Sequence, residues 1–300
     1  MIIISAKNLG LAILTAFSLS SVSTLSAQDE VKINAIPVTD NIYMLTGQGG
    51  NIGLFLGEDG SFIIDDQFAP LTDKILAAVK AGGGDTPPFL INTHFHGDHT
   101  GGNENLGKAG TVIVSHDNVR QRLVNGSFIE AFSMNAPPAN KVALPVLTFS
   151  DDMHFHINND SVNAFHMPGA HTDGDSIIHF KKANVVHAGD IFFNGFYPFI
   201  DAANGGSLRG TIAAVDAILA ITDSKSKIIP GLGPLGDRAQ LQSYRDMLAT
   251  AYMRLLAFKN DGISVEDAVS RKPLADLESQ WGGGIFAGDK WISITYPAVY

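Results

Sequence analysis

The chain has 300 residues, 45% hydrophobic and only 17% charged, which suits one globular domain with ample core material and excludes disorder as its dominant state. Lys and Arg number 20 against 30 Asp and Glu, a formal charge of −10 that argues against a phosphate-rich partner such as nucleic acid. Cysteine is absent, so the protein owes nothing to disulfides and offers no thiol for a lipid tether.

The chain opens with a lone Lys7, an apolar run, and then small residues ending at Ala27. That is the layout of a cleavable secretory signal. The run from Leu9 to Leu19 is broken by Thr15 and Ser18 and is short for a bilayer span. The expectation is a signal peptide over 1–27, a mature domain over 28–300, no stable membrane insertion after processing, and a periplasmic or secreted location.

From Asn41, I-Y-M-L-T, N-I-G-L-F-L-G-E and S-F-I-I-D-D are separated by G-Q-G-G and E-D-G, which reads as antiparallel strands joined by tight turns. A helical pattern covers Leu71 to Ala81, a buried strand Pro88 to Thr93, and a further strand Val112 to Ser115. The next helix runs to about Val124, with Ser115 as a candidate N-cap near His116. Phe128 to Lys141, with Met134, Pro137 and Pro138, has neither period and reads as a long loop, a natural place for substrate contacts.

Alternation resumes over Met153 to Ile157, Ser161 to His166, Ser176 to Phe180 and Val185 to His187. Helices are expected over Leu208 to Thr222 and Ala239 to Phe258, with a strand at Lys227 to Ile229 between them. Strands-then-helices occurs twice with no charged linker between, which predicts one α+β domain of two sheets covered by helices. The C-terminal aromatics Phe286, Trp291, Tyr296 and Tyr300 are expected to pack on that domain.

At the end of the strand P-F-L-I-N-T comes H-F-H-G-D-H-T-G-G, which places His94, His96, Asp98 and His99 within six residues. Imidazole and carboxylate suit Zn²⁺, and a rigid strand end fixes their spacing. In extended chain His94 and His96 point the same way and can grip one ion. Gly97 is expected to let the backbone turn, so that Asp98 and His99 face a second position.

The motif T-H-F-H-G-D-H-T-G-G resembles the H-x-H-x-D-H signature of the metallo-β-lactamase superfamily, and the resemblance extends over most of the mature chain. Asp65 in F-I-I-D-D, His171 in P-G-A-H-T-D-G-D and Asp190 in V-H-A-G-D follow in family order. The resemblance implies a four-layer αββα sandwich. It also implies a first zinc on His94, His96 and His171, a second on Asp98 and His99, and Asp190 as the bridge. Asp65 stands where a carboxylate orients a ligand histidine, although the adjacent Asp66 is a second candidate for that part. Three imidazoles leave one position of a tetrahedral zinc for water, whose pKa the metal lowers to about 7.

The family's usual P-G-H-G-P turn appears here as P-G-L-G-P, so Leu232 stands where a last histidine ligand is expected. One zinc is therefore expected, with the second weak or absent. His166, His179 and His187 are read as structural, and His154 and His156 as exposed strand residues.

These features predict an exported zinc-dependent hydrolase that uses metal-bound hydroxide on an ester, thioester, lactone or lactam carbonyl of a small molecule, with Asp98 steering water or a proton. Asp190 makes the ligand set resemble the glyoxalase-II-like and lactonase-like branches, which leaves β-lactam hydrolysis as a minority activity. The alternatives are a binding protein for metal or small ligands, weakened at Leu232, and an accessory of a periplasmic oxidation pathway.

Overall fold

The computed structural model describes residues 31–300. The expected leader and cleavage point after Ala27 lie outside the described residues. In the first sheet, β1 (Asn34–Pro37), β2 (Ile42–Thr46), β3 (Ile52–Phe55) and β4 (Phe62–Ile64) form an antiparallel meander. The direction then changes: β5 (Phe89–Asn92) and β6 (Val112–His116) add in parallel. A separate small hairpin, β7 (Ser127–Ile129) and β8 (Met134–Ala136), precedes β9 (Leu147–Phe149), which closes the first sheet beside β6.

The second sheet runs in chain order through β10 (Asp152–Ile157), β11 (Asp160–His166), β12 (Ser176–Phe180), β13 (Val185–His187), β14 (Lys227–Ile229) and β15 (Gly236–Asp237). Only its β13–β14 pair is parallel.

Consecutive strand residues face opposite sides of a sheet, and here each side has its own core. Met44, Ile64, Ile91, Ile178 and Ile229 are buried together between the two sheets. Their neighbours Leu45, Ile63 and Leu90 instead pack on Leu71, Ile75 and Val79, at or beside helix α1 (Thr72–Ala81). On the far side, Ile177 and Ile228 pack with residues of two long C-terminal helices, Leu208–Ile221 and Arg238–Asn260. The order is thus helix, sheet, sheet, helix, the expected αββα sandwich. Among the described residues, no helix is long and apolar enough to cross a membrane.

The C-terminal aromatics do pack on the domain. Trp291 is fully buried, stacked on Tyr197 with ring centres 4.6 Å apart, and its indole N–H donates to the Pro198 carbonyl. Tyr300 is the exposed member, and Lys259 lies over its ring.

Three local expectations need correction. The helix Asp117–Asn125 is capped by His116, whose Nδ1 accepts the Asn118 N–H, while the Ser115 hydroxyl donates to the His116 carbonyl. Gly97 is not in the left-handed region and a Cβ there would meet nothing within 4 Å, so the turn after His96 is a plain helical turn, Gly97–Thr100, that does not need glycine. The segment after Phe128 is ordered into the β7–β8 hairpin, whose tip turns through Ser133 at φ +50°.

Candidate metal centre

Strands β4 and β5 run parallel in one sheet and β13 and β14 in the other, and the candidate residues lie in loops that leave their carboxyl ends. Asp65 follows β4, the histidine motif follows β5, Asp190 follows β13, and the Leu232 turn follows β14. His171 comes from the loop between β11 and β12. Backbone bonds tie these loops across the sheets, from Asn51 N to Gly231 O and from Ser176 N to Thr93 O.

His94, His96, His171 and Asp190 are all buried and offer one ligand atom each, within 4.8 Å of one another. His96 Nδ1 lies 3.1 Å from His94 Nε2 and 2.9 Å from His171 Nε2. Asp190 Oδ2 is 3.5 Å from His171 Nε2 and 3.8 Å from His94 Nε2.

The opposite ring nitrogens fix what these contacts are. His171 Nδ1 donates to the Phe199 carbonyl at 2.8 Å. His96 Nε2 donates to Asp201 Oδ2 at 3.0 Å. Thr93 gives its hydroxyl proton to Asp65 Oδ2, so its oxygen accepts from His94 Nδ1 at 3.1 Å. Each ring therefore turns a bare lone pair inward, and three lone pairs facing one another repel unless a cation lies among them. Tetrahedral zinc at its usual Zn–N distance would place the nitrogens roughly 3.3 Å apart, within a few tenths of the separations seen. The donor set fits a divalent metal.

Burial and the neighbouring imidazoles push His94 well below the usual histidine range, and burial lowers His171 to about 4. Both are neutral at ordinary pH, the form a metal requires. Burial alone would raise Asp190, but His99 and the other imidazoles outweigh it and hold the carboxyl at about 2.

His99 stands on the other side of Asp190. Its Nδ1 donates to Asp65 Oδ2 at 2.7 Å, while Nε2 faces Asp190 Oδ1 at 3.1 Å and Asp98 Oδ2 at 3.6 Å. Burial opposes charge on His99, yet the carboxylates of Asp190, Asp98 and Asp65 raise it well above the usual range. His99 Nε2 and Asp190 Oδ1 are buried without a hydrogen-bond partner. This is a negative, under-satisfied position beside the first, with Asp98 at its rim.

Of the two candidate carboxylates after β4, Asp65 accepts from His99, whereas Asp66 accepts the Gly102 N–H. His187 is satisfied structurally: its Nε2 donates to the Asn51 carbonyl and its Nδ1 accepts the Gly189 N–H. His154 and His156 are exposed along β10.

The Leu232 turn lies against Asp190. A Cβ on Gly231 would come within 2.0 Å of Asp190 Oδ1, so only glycine permits that approach. Gly231 N donates to the Gly189 and Phe192 carbonyls, and the Asn51 side chain donates to Pro230 O and Gly233 O. Leu232 shares with His96, Asp98 and Asp190 the wall of one cavity of about 430 Å³. Its other walls are mostly apolar and include Ile129, Phe132 and Met134 of the β7–β8 region.

Asp201 carries no motif and was missed by sequence reasoning, although it is the carboxylate that holds His96. It also accepts from the Asn204 side chain at 2.7 Å, and its own N–H donates to the His171 carbonyl. Asp175, likewise unmarked, accepts from the Thr172 N–H and hydroxyl and so shapes the loop carrying His171; burial raises it to about 8.

Comparison with solved structures finds the same fold in proteins of low identity. A metallo-beta-lactamase from Pontibacter korlensis matches at 17% identity and TM-score 0.58, covering 73% of this chain and 99% of its own. The DIM-1 metallo-beta-lactamase matches at 18% identity and TM-score 0.59, covering 74% and 100%. The stereoselective inverting sec-alkylsulfatase Pisa1 from Pseudomonas sp. matches at 16% identity and TM-score 0.62 over 89% of this chain, which corresponds to half of the sulfatase. Comparison with curated protein sequences found no match. A family model described as the metallo-beta-lactamase superfamily matches residues 45–248, more than half of the chain. With the sandwich and the converging histidines, that match shows that the chain belongs to the metallo-beta-lactamase superfamily.

Proposed function

We propose that the protein is an exported, zinc-dependent hydrolase acting on a small-molecule ester, thioester, lactone or lactam carbonyl. The observation that carries the reading is the inward convergence of three imidazole lone pairs, each ring oriented by a partner on its other nitrogen. A zinc ion held by His94, His96 and His171 would polarise a carbonyl and acidify water. Asp190, held anionic, contributes charge to both positions. Asp98 is 29% exposed at the cavity wall, and its carboxylate would orient a water molecule and accept its proton. No serine or cysteine nucleophile is needed.

Leu232 favours a second reading, a metal-binding protein without turnover, because it puts an apolar side chain in the cavity wall shared with Asp98 and Asp190, where the family's turn would present a ligand. One screen separates the two. Zinc-loaded protein is offered esters, thioesters, lactones and β-lactams, with and without chelator. Turnover lost on chelation and restored by zinc supports the hydrolase; bound zinc with no turnover on any class supports the binding protein. Export is checked independently by sequencing the N-terminus of protein recovered from the cell envelope, where the expected start is Gln28.

A further inference from the structure

We propose that the cavity over the metal centre recognises an uncharged, apolar acyl group, and that Leu232 forms a wall of that acyl subsite where the family's turn would present a ligand. The proposal rests on the hydrolase reading and adds the substrate class which that reading leaves open.

The cavity holds about 430 Å³, within the usual range for a small-molecule site. Among the described residues, no lysine or arginine lines it. Beyond the metal-facing His96 and Asp190, the one charged group among the described lining residues is Asp98, so this wall repels a substrate carboxylate or sulfate and offers nothing to pair with it. The apolar side chains are continuous from the metal centre to solvent. Leu232 is half-buried and shares the cavity wall with Asp190, Phe199 lies 5.7 Å from the His96 ring, and Phe132 packs edge-on against Phe199 at 5.2 Å.

The outer rim is Phe132, Met134 and Ile285, which are 46%, 46% and 50% exposed. Three large apolar side chains left this open around a cleft gain by covering one another with an apolar guest. A chain that starts at a carbonyl near His96 and ends over Phe132 and Met134 would satisfy all of them.

The reaction balances without a co-reactant. Water oxygen joins the acyl carbon, the bond from that carbon to the leaving oxygen breaks, and one water proton goes to the leaving oxygen while the other is released with the acid product.

The test uses zinc-loaded protein and 4-nitrophenyl esters of acetic, butanoic, hexanoic and octanoic acids, together with the anionic hemisuccinate. The expected result is kcat/KM rising about fourfold per buried methylene, with the hemisuccinate at least about tenfold below the butanoate. Leu232→Ala and Phe132→Ser should each lower the octanoate-to-acetate ratio about tenfold. A flat series, a hemisuccinate as good as the butanoate, or unchanged ratios in both variants would overturn the proposal. A change in oligomeric state on Phe132→Ser with unchanged selectivity would mark the rim as a protein interface and do the same.

If no ester turns over, calorimetry on the metal-free protein decides the acyl subsite, and the hydrolase reading fails by itself only when thioesters, lactones and β-lactams are left intact as well. Octanamide should then bind at least about tenfold tighter than acetamide and more tightly than octanoate. Equal affinities would overturn the proposal.

Discussion

Replacing Asp201 isolates the part of the metal centre that no motif announces. Its carboxylate accepts the Nε2–H of His96 at 3.0 Å and is 2% exposed, so water cannot readily take its place. Holding Nε2 as the donor keeps Nδ1 bare for the metal. In Asp201→Asn the shape persists, and the bond to His96 becomes a neutral one. Charged hydrogen bonds contribute about 1.5–3 kcal/mol and neutral ones about 0.5–1.5, so the loss is about 1–1.5 kcal/mol, roughly tenfold in zinc affinity. Asp201→Ala removes the acceptor and also strands the Asn204 amide that donates at 2.7 Å. Its cost is expected to reach about 100-fold, the upper end for groups that orient a metal-bound histidine. Zinc competition against a chromophoric chelator measures both, and circular dichroism of the metal-free variants separates lost affinity from lost fold. Folded variants that hold zinc as tightly as the parent would refute the claim that Asp201 sets the tautomer of His96.

Two further outcomes follow from the same geometry. Leu232→His should add a ligand beside His99 and Asp190 and raise zinc content from about one towards about two per chain, as read by elemental analysis; unchanged content would mean that the turn does not face the second position. The stacked rings of His116 and His166, 3.6 Å apart, are both depressed below 6.5, mainly by burial. The unfolded chain therefore binds protons more readily, and stability is complete above about pH 6.5 and declines as pH falls through that value towards the folded pKa values. His116→Asn keeps a capping acceptor but removes one titrating group, so Tm should fall less between pH 7.5 and 5.5 than in the parent; an identical pH slope would count against the pair.

Much of the centre was legible because its candidate ligands are compressed. His94, His96, Asp98 and His99 follow one strand end, and the apolar runs on either side alternate cleanly enough to place β5, β12, β13 and β14 almost to the residue. The P-G-L-G-P turn was legible for a related reason: Gly231 must lie against Asp190 and Gly233 turns at φ +103°, so the two glycines mark the turn whatever residue stands between them. Asp201 was not legible, since its partner is 105 residues away and a lone aspartate before A-A-N-G-G looks like any turn residue. The β7–β8 hairpin was hidden because three-residue strands carry too few alternations to register, and the choice of cap between Ser115 and His116 depended on which side chain reaches Asn118 N.

The most direct test of the central claim is zinc content at equilibrium with a competing chelator, compared between the parent and His96→Ala. The three converging imidazoles predict about one tightly held zinc per parent chain and a folded variant that retains none under the same conditions. A parent chain that holds no zinc, or a variant that keeps the full complement, would contradict the assignment of His94, His96 and His171 as the metal centre.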